Sequence, residues 1–374
     1  MSRKLLFLLG FAVASRAWGS PAYDIQPFFF PQLDRPASIS YPNAQGQSIG
    51  CVFDYQENVL VTVPVLFQNG SFQILPLPPL YSAYPTVISD NGYIIGNAWN
   101  STPPFAQIPQ VPLLWSNGIV TQLPIANCFR GSALSVNNSG QVAGCLLHTV
   151  LEDPYTLPEE PLVVSAAWWD ATGTLHDLGT FGGYETVARF INNAGQLLIS
   201  VRNSDAPDQL LLWDNGITQP IPGATGGAVG FNNLGHVLYR TDVDICEEGL
   251  TDFALWDGTK STPLPTLPNY LTMYDAFNDQ DQIVGCAINF DISDDRAILW
   301  DNGILYDLND LIPADSGWEL QYAGGIASDG QIVGNGYFNG IPHAFLLTPI
   351  PSVPEPATLP ILALATFALA RRRA

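Results

Sequence analysis

A short phrase comes back seven times along this chain of 374 residues. It reads Asn43-Ala44-Gln45-Gly46-Gln47, Ser89-Asp90-Asn91-Gly92-Tyr93, Asn137-Asn138-Ser139-Gly140-Gln141, Asn192-Asn193-Ala194-Gly195-Gln196, Asn232-Asn233-Leu234-Gly235-His236, Asn278-Asp279-Gln280-Asp281-Gln282 and Ser328-Asp329-Gly330-Gln331. The aligned positions 46, 92, 140, 195, 235, 281 and 330 are separated by 46, 48, 55, 40, 46 and 49 residues. A repeat of that length is one supersecondary unit that cannot bury its apolar face alone, so the fold must stack such units.

A second phrase follows the first in each of the first six units. It includes Leu66-Phe67-Gln68-Asn69-Gly70, Leu114-Trp115-Ser116-Asn117-Gly118, Trp168-Trp169-Asp170-Ala171-Thr172-Gly173, Leu212-Trp213-Asp214-Asn215-Gly216, Leu255-Trp256-Asp257-Gly258 and Leu299-Trp300-Asp301-Asn302-Gly303. Asn-Gly and Asp-Gly between apolar runs mark tight hairpins, whose central residues need positive φ. One unit is therefore two hairpins, giving four strands, A to D. With 33 glycines and 31 prolines, the composition suits many short strands joined by turns.

Strand C is apolar at consecutive positions, as in Leu210-Leu211-Leu212-Trp213 and Ala297-Ile298-Leu299-Trp300, which predicts burial on both faces. A blade sandwiched between two neighbours meets that condition. The expected fold is all-β: a seven-bladed β-propeller of four-stranded antiparallel blades over residues 20–350. The strand C tryptophans are assigned to the core rather than to a sugar-stacking ladder. Gly50, Gly96, Gly144, Gly285 and Gly334 in strand B are read as points of close approach between blades, with Ile199 and Tyr239 as exceptions. The seventh unit runs out after His343-Ala344-Phe345-Leu346-Leu347, without a strand D. The N-terminal segment from about Tyr23 to Leu33 is predicted to supply it, with Pro27 and Pro31 suiting an outer edge.

The two ends carry short hydrophobic segments, each expected as a helix. Arg3 and Lys4, the apolar run Leu5 to Ala14 and the small residues around Ala17-Trp18-Gly19 read as a signal peptide over 1–19, cleaved between Gly19 and Ser20, with cleavage after Ala14 as the second choice. At the other end, 351–374 holds Val353-Pro354-Glu355-Pro356, an apolar stretch 357–370, and Arg371, Arg372 and Arg373. As a helix that stretch is about 21 Å long, against a hydrocarbon core of about 30 Å. Three arginines behind it favour retention on the cytoplasmic side of the inner membrane, leaving the preceding chain outside.

This C-terminus resembles that of the PEP-CTERM class of bacterial exported proteins. The resemblance implies that Pro354, Glu355 and Pro356, with Val353 before them, are read by an exosortase, a membrane-embedded cysteine peptidase. The precursor is then membrane-anchored and the product lies at the cell surface or outside the cell. An ordinary C-terminal anchor would give the same topology without processing. The repeats resemble the HAF family of extracellular repeats through Ile191-Asn192-Asn193-Ala194-Gly195-Gln196, Ile326-Ala327-Ser328-Asp329-Gly330-Gln331-Ile332-Val333-Gly334, His343-Ala344-Phe345-Leu346 and Asp177-Leu178-Gly179-Thr180-Phe181-Gly182-Gly183. That likeness implies an exported repeat protein and transfers no catalytic residue.

A net charge of −21 excludes nucleic acid as a partner, because like charge repels and no counterions would be released. The A–B and C–D turns are short, so the longer B–C and D–A connections share one face, the expected binding surface. Acid gathers there at Asp54, Glu57, Glu152, Asp153, Glu159, Glu160, Asp205, Asp208, Asp291, Asp294 and Asp295. Asp242, Asp244, Glu247 and Glu248 form the candidate calcium site, with solvated loop charge as the competing reading. No other cofactor is implied.

Phosphate-loop, nucleophile-elbow and zinc signatures are absent from the sequence, and the histidines at 148, 176, 236 and 343 are dispersed. His176 and His343, in or beside strands, read as structural. Among five cysteines, Cys128 and Cys145 are the candidate disulfide, since one hairpin carries both toward one rim; Cys246 with Cys286 is the second option, and buried free thiols the third. The expected function is a non-catalytic surface or matrix protein that binds exopolysaccharide, a cation or another surface protein. The alternative is a secreted glycosidase or lyase acting on extracellular polysaccharide.

Overall fold

The computed structural model describes residues 21–351 except 29–36, 40–42, 44, 57–58, 69–70, 79–80, 101–109, 149–162, 205, 226, 242–251 and 292–293. Both terminal segments lie outside the described residues, with Gly19, Ser20, Val353, Pro354, Glu355, Pro356, Arg371, Arg372 and Arg373. The described chain is a β-propeller of four-stranded antiparallel meanders, without an α-helix. Unit two shows the pattern: A is Tyr81–Ile88, B is Ile94–Asn100, C is Val111–Ser116 and D is Ile119–Gln122. The hairpins form where the dipeptides predict. Asn117 and Gly118 have φ of 52° and 74°, the two positive values that such a turn requires.

The count of separate sheets differs from expectation. Five four-stranded blades stand alone instead of seven, while units three and four share one eight-stranded sheet. Its halves meet at a single parallel bridge between Val164, in strand C of unit three (Val163–Trp169), and Glu185, in strand A of unit four (Glu185–Ile191). The tight return after strand D of unit three (Leu175–Gly179) causes the fusion: Gly183 N–H donates to the Thr180 carbonyl, and Val164 N–H donates to the Tyr184 carbonyl at 3.2 Å. The B–C connection is also not long everywhere. In unit one, strands Ser48–Gln56 and Val59–Gln68 pair to their ends through Gln56 and Val59, and in unit seven Asn339-Gly340 alone joins B to C.

The N-terminal strand Tyr23–Phe28 pairs antiparallel with strand C of unit seven (Ile341–Pro349), Tyr23 opposite Pro349 and Phe28 opposite Ala344. It supplies the missing outer strand, and Tyr23 is packed into the last core.

Apolar side chains are buried between successive units. Ile95 of unit two packs with Val136, Val142, Leu146 and Trp169 of unit three, and comparable clusters join each further pair from one to seven. Trp115, Trp169 and Trp256 of strand C are almost wholly buried, as the core assignment requires. Trp115 Nε1 donates to the Pro76 carbonyl at 2.6 Å, and Trp169 Nε1 donates to Pro124 at 2.8 Å, both in the connection leaving the preceding unit.

Gly96, Gly144, Gly285 and Gly334 of strand B serve close approach within the blade rather than between blades. A Cβ on Gly144 would collide with the Ser132 carbonyl of its own strand A, and one on Gly334 with the Tyr322 carbonyl. Strand A is kinked at these points by β-bulges, which push its backbone toward the hairpin partner.

Asparagine gives the repeated phrase a role beyond the turn. Asn137 Oδ1 accepts from Ser139 N and Gln141 N, each at 3.0 Å, closing its own A–B turn. Its Nδ2 donates to Gln141 Oε1 at 2.8 Å and to the Asn192 carbonyl of the next unit at 2.9 Å. Asn43, Asn192, Asn232 and Asn278 donate in the same way to Ser89, Asn232, Asn278 and Ala327. In unit two, Ser89 cannot donate an amide, and Asn91 Nδ2 bonds the Asn138 carbonyl at 2.8 Å instead. The result is a relay of amides along one end of the ring.

Each net hydrogen bond is worth about 0.5–1.5 kcal/mol, and an orphaned buried carbonyl costs more. Asn137→Ala should therefore lower unfolding free energy by about 2–3 kcal/mol in chemical denaturation. Half-buried Asn138→Ala, whose side chain makes fewer bonds, should cost less than about 1 kcal/mol. Equal losses for the two variants would refute the relay as a structural element.

Candidate functional site

Strand A lies innermost. The A strands of neighbouring units touch one another, whereas strand D in units one, two and four is largely exposed. A regular strand turns alternate side chains to alternate faces, and a bulge inserts one extra residue and re-aims it. In units two to six that residue is Thr86, Leu134, Arg189, Val229 and Asp275. The last three line one cavity of about 320 Å³. Ser200 and Arg202, from strand B of unit four (Leu197–Arg202), Asp208 and Gln209, Thr225, and Arg240, ending strand B of unit five (Val237–Arg240), complete its polar wall. The cavity opens among the B–C and D–A connections, the face the loop lengths indicated.

Its electrostatics oppose those of the chain. Of the seven basic residues between 21 and 351, three line this cavity. Arg202 is neutralised, its Nη1 lying 3.1 Å from a Glu185 oxygen. Arg189 Nε donates to Ser200 Oγ at 3.0 Å, and the Arg240 guanidinium sits 5.7 Å from the centre of the Phe253 ring. Among the described residues neither Arg189 nor Arg240 has an ion-pair partner. Asp275 Oδ2 is buried without a hydrogen-bond partner. Desolvation pushes this carboxyl above the usual aspartate range, and the nearby Arg240 charge only partly offsets the rise.

The expected disulfide is absent, because Cys128 and Cys145 are both free thiols. Register is the reason. Cys145 lies opposite Ser132, while Cys128 is four residues before that partner, roughly 13 Å along a strand, well beyond disulfide reach. Cys128 Sγ instead lies 3.5 Å from His148 Nδ1. Burial pushes the Cys145 thiol up to about 11, and both burial and Asp177 raise Cys128, so neither environment favours a thiolate. Cys286 is also free, and Cys246 lies outside the described residues.

Of the candidate acids, Asp242, Asp244, Glu247 and Glu248 lie outside the described residues, as do Glu152, Asp153, Glu159, Glu160 and Asp205. Asp294 is bonded by Arg296 at 2.8 Å, and Asp208 lies 3.9 Å from Arg202. Among the described residues no three His, Cys, Asp or Glu side chains are grouped to hold a metal. His176 bonds Asp170 at 3.2 Å and stacks on Trp168, a structural role as expected. The cavity residues Arg189, Arg240 and Asp275 escaped the sequence reading; their common place in or beside a repeated strand was the available signal.

Asp275 has a consequence for stability. Its raised value means that the folded chain keeps a proton which the unfolded chain loses near 3.8, so stability falls as pH rises through the folded value. Asp275→Asn should be more stable than wild type at neutral pH and converge with it below about pH 4. Melting curves across that range test this; a constant difference at every pH would contradict it.

No protein-family model and no curated protein matches this chain. Solved structures do. The β-propeller domain of the Trilobed protease from Pyrococcus furiosus, with an open velcro topology, superposes with a TM-score of 0.52 and 9% identity, covering 86% of this chain and 99% of that one. Pyrococcus horikoshii acylaminoacyl peptidase gives a TM-score of 0.55 at 11% identity, covering 88% of this chain and 54% of its own. An acylaminoacyl peptidase in complex with Z-Gly-Gly-Phe-chloromethyl ketone also gives 0.55, at 10% identity, over 84% and 52%. This chain spans about half the length of those two peptidases. At such identities the likeness establishes the β-propeller fold alone.

Proposed function

We propose that this chain is a non-catalytic binding propeller, exported and held at the cell surface or in the extracellular matrix, with exopolysaccharide or another surface protein as its partner. The fused third and fourth sheets count in this reading as two blades, giving a ring of seven. The observation that carries binding is the cavity of about 320 Å³, whose walls are mostly strands and which contains guanidinium groups without an ion-pair partner among the described residues. Sites on regular strands hold their groups in place before a ligand arrives.

Export rests on the sequence at the two ends. The basic and apolar segment before Ser20 directs secretion, exosortase reads Pro354, Glu355 and Pro356, and the apolar stretch with Arg371, Arg372 and Arg373 holds the precursor in the inner membrane. Calcium at Asp242, Asp244, Glu247 and Glu248 belongs to the same proposal, as an accessory of the loop face.

One observation favours a second reading, a secreted glycosidase or lyase. Asp275 is a buried carboxyl held toward its neutral form, the state a general acid needs. A glycan-array screen run beside turnover assays on the same polysaccharides separates the two. Saturable binding without product supports the binding protein; turnover abolished by Asp275→Asn would replace it with the enzyme. Processing is tested in the producing cell: replacing Pro354, Glu355 and Pro356 by alanine should leave a full-length, membrane-associated form by intact mass, and unchanged release would remove exosortase from the proposal.

A further inference from the structure

We infer that the cavity between units four, five and six binds the carboxylate of a sugar acid, with Arg189 and Arg240 as the groups that receive it. This deepens the binding reading above, yet it fails or stands by its own measurement.

Charge distribution is the first argument. A chain with a net charge of −21 repels anions at a distance, so an anion site must be built locally. Three of the seven basic residues between 21 and 351 gather around this one cavity. Glu185 occupies Arg202, whereas among the described residues no carboxylate lies within ion-pair distance of Arg189 or Arg240, Asp275 being the acid whose charge Arg240 feels. A guanidinium presents a planar fork of donors that matches a carboxylate with two parallel hydrogen bonds.

Positioning is the second argument. Arg189 is the bulge residue of its strand, and its Nε is fixed by Ser200 Oγ at 3.0 Å, leaving its remaining donors free of that contact. Arg240 ends strand B of unit five, with its guanidinium resting over the Phe253 ring. Both side chains are therefore oriented before any ligand enters.

The remaining wall favours hydroxyl groups beside the carboxylate. Asp275 lines the same cavity from the neighbouring unit, and its Oδ2 is buried without a partner. Such an atom costs free energy unless something bonds it, and in the proposed complex a ligand hydroxyl supplies that bond. Ser200 and Thr225 add hydroxyls to the lining. At about 320 Å³ the space lies at the small end of ligand pockets, which suits one sugar ring or the end of a chain rather than an extended segment.

The experiment is calorimetric titration of the full chain in mild detergent with glucuronate, galacturonate, a short oligouronate, glucose and inorganic phosphate. The expected result is binding of at least one uronate, none of glucose, and weaker binding as salt is raised. Arg189→Gln and Arg240→Gln should each weaken uronate binding at least tenfold with the melting transition retained. Arg240→Lys, which keeps the charge and loses the fork, provides the second variant should glutamine disturb folding, and it should also bind more weakly. Oligouronate binding that exceeds the monosaccharide places the source in a polymer; equal binding places it in a free sugar acid, and either outcome supports the site. Glucose binding equal to uronate, phosphate binding equal to uronate, or folded arginine variants that bind as wild type would each overturn it. Polysaccharide binding unaffected by these variants would leave the surface-binding function standing and remove only this site.

Discussion

A four-stranded blade with two apolar faces has no stable existence by itself, and this constraint governs the rest of the structure. Ile95 in unit two and Trp169 in unit three lie in one cluster, so the core belongs to the junction between units. Burying side chains of this size contributes about 1.5–3 kcal/mol each, and here that gain requires a neighbour on either side. The outer strand of unit seven comes from Tyr23–Phe28, and with it Tyr23 enters the core that units six and seven share. One terminus thus completes the packing of the other.

Apolar burial does not by itself fix how far one unit is turned from the next. The amide relay supplies a directional term. Asn192 and Asn232 each close a turn at home while donating to a carbonyl in the following unit, which ties local turn geometry to spacing between units. The relay stops at Ala327, which accepts from Asn278 and has no side-chain amide to pass on. There the fastening is of another kind: the N-terminal strand is hydrogen-bonded along unit seven, and the same chain continues in sequence to strand A of unit one (Ala37–Ile39). A ladder of backbone bonds takes over where side-chain amides end.

Much of this architecture was legible in the sequence because turns have strict backbone requirements. Asn117-Gly118, Asn215-Gly216 and Asn302-Gly303 all adopt paired positive φ, and the tryptophans before them are placed in or against the cores. The edge strand at Tyr23–Phe28 followed from counting strands in the last unit. What escaped depends on register, which a one-residue insertion changes. The Cys128–Cys145 pairing failed because the hairpin places Cys145 against Ser132. Gly144 was assigned to the wrong neighbour because its collision is with a bulged strand of the same sheet. Merging of units three and four rests on one bridge, Val164 with Glu185, which no repeat length encodes.

The candidate site illustrates why average charge is a poor guide to binding. Acidic residues dominate the chain, and the loop face was expected to attract cations; the cavity on that face nonetheless carries Arg189 and Arg240, which have no ion-pair partner among the described residues. Screening confines a surface charge to about 8–10 Å, so the cavity is governed mainly by the charges of its own wall. The five bulge positions Thr86, Leu134, Arg189, Val229 and Asp275 are equivalent in backbone and unlike in chemistry. Repetition fixes where a side chain will be presented, while divergence at that one position decides what is presented. A ring of near-identical units thereby acquires a chemically distinct pocket while the packing between units is kept.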